Sequence, residues 1–423
     1  MRPVTRRTIL ALAAAALVVA AAAVVLAFGG DRNSDPPVQR LNDLSADGLV
    51  DSIGVNVHFN YLDTAYVRQV ELIARLRELG IHHLRDGQPL AGQPVETVQP
   101  EAGREGMRMT LITDVTRDPA PDVEQSVRVL GRYIAAFEGP NELDNAGDPG
   151  WVTKLTAYMP ALSAAVREHA PGARLIGPSL VNSSSRLELP GDRPGLFNAH
   201  PYPLGQSPEP ALGDAVREAR PDQLRAGAYF TEFGYHNASA ATTGQPPVSE
   251  EAAAIYLPRA LVAAFGAGVR RTFIYELVDE KPEPGLRDPE QHFGLLRNDL
   301  SPKPAFTAIK TLVAALRSSP GEGPGDLIWT LDVTGDEDVE HITLLRRDGS
   351  RLIALWRPVS VWDVAEQHAL DPGSVPVELH VRRPARDVTV WRPSVSTTPV
   401  LRRSQARRLR LDLAGDLVLV SFR

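Results

Sequence analysis

The sequence predicts an α/β fold: a (β/α)8 TIM barrel followed by a small antiparallel β-sandwich domain. Three observations predict it. Eight apolar, strand-like runs alternate with amphipathic stretches between residues 53 and 317, the pattern of parallel strands joined by helical crossovers. That span is close to the roughly 250 residues typical of a closed eight-stranded barrel. After 318–326, SSPGEGPGD, the βα rhythm gives way to short alternating runs separated by turn signals, which read as an antiparallel sandwich. The rival arrangement, an open doubly wound sheet, would usually carry a glycine-rich phosphate turn after its first strand, and 56–61, NVHFNY, holds no glycine. The expected divisions are 1–37 for a signal segment and linker, 38–320 for the barrel and 321–423 for the sandwich.

The chain opens with Arg2, Arg6 and Arg7 before an unbroken apolar run from Ile9 to Phe28. At about 20 residues it is long enough to span a bilayer as a helix and longer than the roughly 7–15 of a secretory signal core. The basic flank favours a cytoplasmic N-terminus. The run reads as a membrane-anchoring signal-anchor or as a long cleavable signal. TRRTIL also loosely resembles a twin-arginine export signal. Each reading places the remainder outside the cytoplasm, membrane-anchored or secreted. Asp31 to Pro37 follows as a polar linker.

The first strand is IGVNVHF (53–59). A helix is expected over 64–80, with Val67, Val70, Leu72, Ile73, Leu76 and Leu79 on one face and Gly80 at its C-cap. HHLRDG (82–87), MRMTLIT (107–113), YIAAFEGPNE (133–142), ARLIGPSL (173–180), LFNAHPY (196–202), AYFTEFGY (228–235) and RTFIYELVD (271–279) supply strands two to eight. Trp151–Ala170 and Ser249–Gly266 are the strongest helices between them, and KPAFTAIKTLVAALR (303–317) is the last. The segments 88–106 and 181–195 read as irregular. In the sandwich, Arg402, Arg403, Arg407, Arg408 and Arg410 form a basic cluster, read as solvated sheet face in preference to a polyanion or membrane contact.

Composition narrows the chemistry. Hydrophobic residues make up 43% of 423 positions, enough for a sizeable core. The net charge of -7 argues against nucleic acid as a partner. With no cysteine, disulfides, thiolate nucleophiles and Cys-ligated metals are excluded. Carboxylates, hydroxyls, His, Arg and Lys must do the work.

Two carboxylates stand out. Glu142 in EGPNELDN (138–145) and Glu232 in TEFG (231–234) each fall at the C-terminal end of a strand. They lie close to three βα units apart, at about 31 residues per unit, which puts strands four and seven across one barrel mouth, the face where such barrels carry their active sites. Two carboxyl groups facing across a cleft can hydrolyse a glycosidic bond without metal, cofactor or thiol. Glu138 reads as structural or outward-facing, and Asp144 as a cap or a substrate contact. His58 and His200 end strands one and six and are candidates to line the cleft. A zinc site would want His-x-His after strand one, and Phe59 follows His58, so no metal is expected.

GPNE (139–142), TEFG (231–234), HPY (200–202), LRDG (84–87) and FGLLRNDLSPKPAFTAI (293–309) resemble the retaining glycoside hydrolases of clan A, nearest to family 39 and similar secreted enzymes. The resemblance covers roughly residues 50–320, and more weakly the sandwich. It implies that Glu142 is the general acid/base and Glu232 the nucleophile. It further implies that Asn141 bonds the sugar 2-hydroxyl, that Tyr202 contacts the nucleophile and that Arg85 holds it ionised. Strand eight departs from the pattern: FIYEL places Tyr275 and Glu276 where many members have a tryptophan. Both are candidate substrate contacts, and the sugar identity is left open. Tyr61, Tyr235 and Trp151 could stack on sugar rings or simply pack. The expected activity is double-displacement hydrolysis of an oligo- or polysaccharide with no cofactor. A carbohydrate-binding barrel without turnover, or a transglycosidase using the same residues, are the alternatives.

Overall fold

The structure, a computed structural model, describes residues 44–189, 194–317, 329–333 and 338–422. The chain enters through β1 (Leu44–Ser45) and α1 (Ala46–Asp51), whose N-cap Ser45 accepts the Gly48 N–H. Eight parallel strands follow: β2 (Ile53–Asn56), β3 (His83–Gly87), β4 (Arg108–Ile112), β5 (Ile134–Glu138), β6 (Arg174–Ile176), β7 (Asn198–Ala199), β8 (Ala228–Phe233) and β9 (Val269–Ile274). Between them run α2 (Gln69–Leu79), α3 (Val95–Arg104), α4 (Pro119–Leu130), α5 (Trp151–His169), α6 (Pro208–Glu218), α7 (Pro221–Ala226) and α8 (Glu250–Gly266), and α9 (Pro304–Leu316) ends the series.

The strands pair in the order β6-β5-β4-β3-β2-β9-β8-β7. A parallel bridge from Ile176 to Leu196, just before β7, joins the two ends of that order. The ring is therefore the expected barrel. Its interior is packed by Ala136, Ile176, Tyr229 and Phe273. Gly54 on β2 makes room for this packing, since a Cβ there would lie 2.4 Å from the Phe273 ring.

Two local expectations need correction. The helix predicted over 64–80 is a 3-10 turn (Ala65–Val67) followed by α2, and Val67 and Val70 are exposed at 59% and 75%. At 100° per residue Val70 points away from Leu72, Leu76 and Leu79, which form the buried face. Gly80 does cap α2 in the left-handed region, at φ 76. In the segment 88–106, read as irregular, α3 forms despite Pro100. Burial of Val95, Val98 and Ala102 outweighs the one backbone bond that proline removes.

The remainder is β10 (Trp329–Val333), β11 (Glu340–Leu345), β12 (Arg351–Trp356), β13 (Trp362–Asp363), β14 (His368–Ala369), β15 (Val375–Trp391), β16 (Leu401–Leu413) and β17 (Val418–Phe422). Apart from the β13–β14 ribbon these form one curled, mostly antiparallel sheet, which β1 joins in parallel against β11. Sequence runs read as two strands, PVELHVRR and DVTVWRP, are one strand, β15, with a register shift between His380 and Ala385. Residues on β12 and β17 alternate between two cores. Leu352, Ala354 and Leu419 pack with the barrel helices, while Ile353, Leu355, Val418 and Val420 fill the sandwich-like interior. The sequence read these segments as alternating runs, and burial on both faces is the finding that differs from that pattern.

Candidate active site

Five strand ends converge at the C-terminal mouth of the barrel. Arg85 on β3 is 1% exposed and sits at their centre. Its Nε and Nη2 donate to Glu138 Oε2 and Oε1 at 2.7 and 2.8 Å, a bidentate pair. Its Nη1 donates to Glu232 Oε1 at 2.6 Å and to Asn56 Oδ1 at 2.9 Å, and Nη2 also reaches Asn141 Oδ1 at 2.7 Å. A buried guanidinium must have its donors met, and here every nitrogen of the fork donates to an acceptor. Glu138, read from the sequence as structural or outward-facing, points inward: it is fully buried and also accepts from Asn198 Nδ2 and Thr231 Oγ1.

Glu232 ends β8 and takes a second donor, the Tyr202 hydroxyl, at 2.7 Å on Oε2. Burial raises its pKa. The charges of His200 and Arg85 and the hydrogen bonds from Tyr202 and Arg85 outweigh that, holding the carboxyl down to about 2. Burial moves Tyr202 the other way, well above the ordinary phenol value, so it remains a donor.

Glu142 follows β5 in left-handed backbone, φ 48 and ψ 42. For a non-glycine residue that conformation costs on the order of 1–3 kcal/mol. It is held by the Glu142 N–H on the Ser179 carbonyl at 3.2 Å and by Asn145 N–H on the Glu142 carbonyl at 3.0 Å. Three residues earlier, Gly139 passes so close to Pro178 and Met159 that a Cβ would lie 2.8 Å from each. The Glu142 Oε1 meets Nδ1 of His200 at 2.6 Å, and His200 Nε2 lies 2.9 Å from Thr231 Oγ1. One oxygen of Glu142, one of Glu232 and a His200 nitrogen all fall within 4.8 Å of one another.

The residues singled out by sequence are thus brought together, with one exception in kind. Arg85, Asn141, Glu142, His200, Tyr202, Glu232, His58 and Tyr275 line one cleft of about 1240 Å³. Glu276 lies behind this lining. It is fully buried, accepts from the Tyr66 hydroxyl at 2.7 Å, and its Oε2 is 3.6 Å from His58 Nε2. Burial and the Glu280 charge hold its carboxyl well above the ordinary range, and burial lowers His58 to about 4. His58 is therefore neutral near pH 7. Tyr61, 47% exposed, stacks on His58 at 4.8 Å, whereas Tyr235 and Trp151 are buried in packing. Asp144 ties two loops together by accepting the Val181 and Asn182 N–H groups at 3.0 Å each.

Sequence reasoning missed Asn56, Thr231, Asn198, Ser179 and Tyr66. Each acts through a partner at least 29 residues away, so no local spacing marks it. Among the described residues, two groups bring three metal-type donors within 4.8 Å: Glu142, His200 and Glu232, and His58, Glu276 and Glu280. In the first, Arg85 and Tyr202 already donate to both Glu232 oxygens, and a cation would have to displace them.

No protein-family model and no curated protein sequence matches the chain. Solved structures do. A family 39 glycoside hydrolase from the gut symbiont Bacteroides cellulosilyticus has a TM-score of 0.61 at 14% identity, over 90% of this chain and 82% of that one. The GH39 enzyme from Xanthomonas axonopodis pv. citri gives 0.59 at 16% identity, over 90% and 95%. A monomeric beta-xylosidase from Caulobacter crescentus gives 0.56 at 16% identity, over 90% and 97%. The fold is that of the family 39 glycoside hydrolases of clan A, barrel and appended sheet together.

Proposed function

We propose that this protein is a retaining glycoside hydrolase in which Glu232 is the nucleophile and Glu142 the general acid/base. The observation that carries the reading is the approach of a Glu142 oxygen and a Glu232 oxygen to within 4.8 Å at the mouth of the barrel. Retaining enzymes hold their two carboxyl groups about 5–5.5 Å apart, whereas inverting ones leave roughly 6.5–9.5 Å for a water.

The surroundings of the two groups support the division of labour. Glu232, ionised by Arg85 and Tyr202 donation, is prepared to attack the anomeric carbon and become an ester. Tyr202 and Arg85 stabilise the same carboxylate when it leaves. Glu142, contacted by His200, gives its proton to the departing glycosidic oxygen and then takes one from the water that releases the sugar. Asn141 is fixed by Arg85 and by the Ser179 hydroxyl at 3.0 Å, which aims its amide N–H at a sugar hydroxyl. His58 and Tyr275 line the wall of the cleft.

The neighbours include a beta-xylosidase, so β-xylosides head the panel of aryl glycosides to be screened. Glu232→Gln is expected to abolish turnover of whichever aryl glycoside is accepted. Glu142→Ala is expected to spare substrates with activated leaving groups and to lose unactivated ones by about 10²–10⁴-fold. Equal loss on both substrate types in both variants would overturn the assignment, and glycan binding by wild type with no sugar released would favour a non-catalytic barrel.

We also propose an extracytoplasmic location, resting on the Ile9–Phe28 run. That run lies outside the described residues, among which no helix is long and apolar enough to cross a membrane. Protection of the chain from external protease in spheroplasts would contradict this.

A further inference from the structure

We propose that His58, Glu276 and Glu280 form a binding site for one divalent cation of the zinc class, set behind the wall of the cleft. His58 follows β2, and the two glutamates follow β9, its neighbour in the ring. A ligand atom from each of the three lies within 4.8 Å of the others. His58 Nε2 and Glu276 Oε2 are 3.6 Å apart. That is too far for a hydrogen bond and close to the roughly 3.3–3.5 Å between two ligand atoms on a tetrahedral zinc ion. A search for His-x-His around His58 could not find this set, because its partners come from the far end of the barrel sequence.

Two buried atoms of the group lack the partner that burial demands. Among the described residues, His58 Nε2 and Glu276 Oε1 are shut off from solvent and make no hydrogen bond, whereas the large majority of buried polar atoms are paired. Glu276 is fully buried, and its other oxygen is fixed by the Tyr66 hydroxyl at 2.7 Å. The half-buried Glu280 carboxylate makes no hydrogen bond or ion pair among the described residues, and the adjacent Lys281 is turned to Asp63, at 2.6 Å. Backbone contacts hold both glutamates in place. The Glu276 carbonyl accepts the Leu295 N–H at 2.9 Å, and the Glu280 carbonyl accepts from the Ala65 N–H and from Asn298 Nδ2 at 2.7 Å each.

Two carboxylates this close, away from bulk water, repel unless a proton or a cation lies between them. The donor set decides which cation fits. One imidazole nitrogen with two carboxylate oxygens suits zinc and its transition-metal neighbours, whereas calcium and magnesium take shells of oxygen. The group of Glu142, His200 and Glu232 differs, because its atoms already face Tyr202, Arg85 and Thr231. An ion held by His58, Glu276 and Glu280 ties the loop after β2 to the loop after β9. It thereby fixes His58, which lines the cleft. The site does not rest on the glycoside hydrolase reading.

The test strips the full chain of metal with a chelator, dialyses it, and titrates it with Zn²⁺ by calorimetry, with Ca²⁺ and Mg²⁺ as comparisons. One Zn²⁺ per chain is expected to bind at micromolar affinity or tighter and to raise the unfolding temperature as its concentration rises. Ca²⁺ and Mg²⁺ are expected to bind far more weakly. Glu280→Gln, at a half-buried position where folding is preserved, removes one ligand and should weaken Zn²⁺ at least tenfold. Tyr66→Phe removes only the hydrogen bond that orients Glu276 and should weaken it roughly 10–100-fold. Glu142→Gln, in the other three-donor group, should leave Zn²⁺ affinity unchanged. The proposal is overturned if no Zn²⁺ binds, which would leave a shared proton between the carboxylates. It is equally overturned if binding survives Glu280→Gln, if Glu142→Gln abolishes it, or if Ca²⁺ or Mg²⁺ binds and Zn²⁺ does not. None of these readings needs turnover, so zinc binding by a protein that hydrolyses no glycoside would sink the proposed activity and leave this site standing.

Discussion

Glu232 and Arg85 show how much one residue's behaviour depends on partners far along the chain. The depressed pKa of Glu232, about 2 against an ordinary 4.5, makes a testable contribution to stability. A depressed carboxyl stabilises the folded chain fully above its unfolded value and loses that contribution as pH falls toward the folded one. The window therefore runs from about pH 4.5 down to about 2. At 1.36 kcal/mol per unit the contribution is about 3 kcal/mol, with burial leaving little solvent screening. Denaturant unfolding should show the stability gap between wild type and Glu232→Gln narrowing as pH is lowered from 5 to 3; a gap constant across that range would contradict the pairing. At this scale the sequence was legible where a residue type sat at a strand end. Glu142 and Glu232 could be found that way, whereas Tyr202 and Arg85 came only from the resemblance of HPY and LRDG. Glu138 could not be oriented, because the pleat of a strand cannot be placed in absolute terms from a short apolar run. The left-handed backbone of Glu142 was equally invisible, since contacts to Ser179 and Asn145 set it.

Elements were legible when a long period ran uninterrupted. The expected helices 151–170, 249–266 and 303–317 are α5, α8 and α9 to within a residue or two. Where proline and glycine crowd a segment, as around α3, tertiary burial decided the outcome instead. Helix α8 also makes a prediction. Its Arg259 is fully buried, pairs with Glu209 on α6 at 2.6 Å, and donates to the Val359 and Gly415 carbonyls at 2.8 and 2.9 Å. Removing one partner of such a buried cluster strands a carboxylate and two carbonyls. Arg259→Ala should cost about 3–5 kcal/mol while the folded fraction keeps its turnover. A loss below about 1 kcal/mol in denaturant titration would show that water replaces the guanidinium without penalty.

Over the whole molecule, the barrel and the curled sheet share one apolar core. Leu344, Leu352, Ala354, Trp356 and Leu419 pack in the same cluster as the barrel helices, and β1 crosses from the barrel side to pair with β11. A protein cut after residue 317 would leave that face uncovered, an apolar patch of the kind that drives association. It should unfold at lower temperature than the full chain and aggregate; calorimetry showing two independent transitions in the intact protein would argue for separable domains. The sequence marked the change from one architecture to the other by its texture. It could not show that β12 and β17 serve both cores, because a strand buried on two faces looks the same whatever lies against it.

The central claim is that Glu232 forms a bond to the sugar. It is tested most directly by incubating the full-length protein with a 2-fluoro aryl glycoside of the accepted sugar, then mapping the modified peptide by mass spectrometry. One added glycosyl unit on the peptide containing Glu232, absent in Glu232→Gln, is the predicted result. A protein that turns over the parent glycoside yet carries the label on another residue, or none at all, would contradict it.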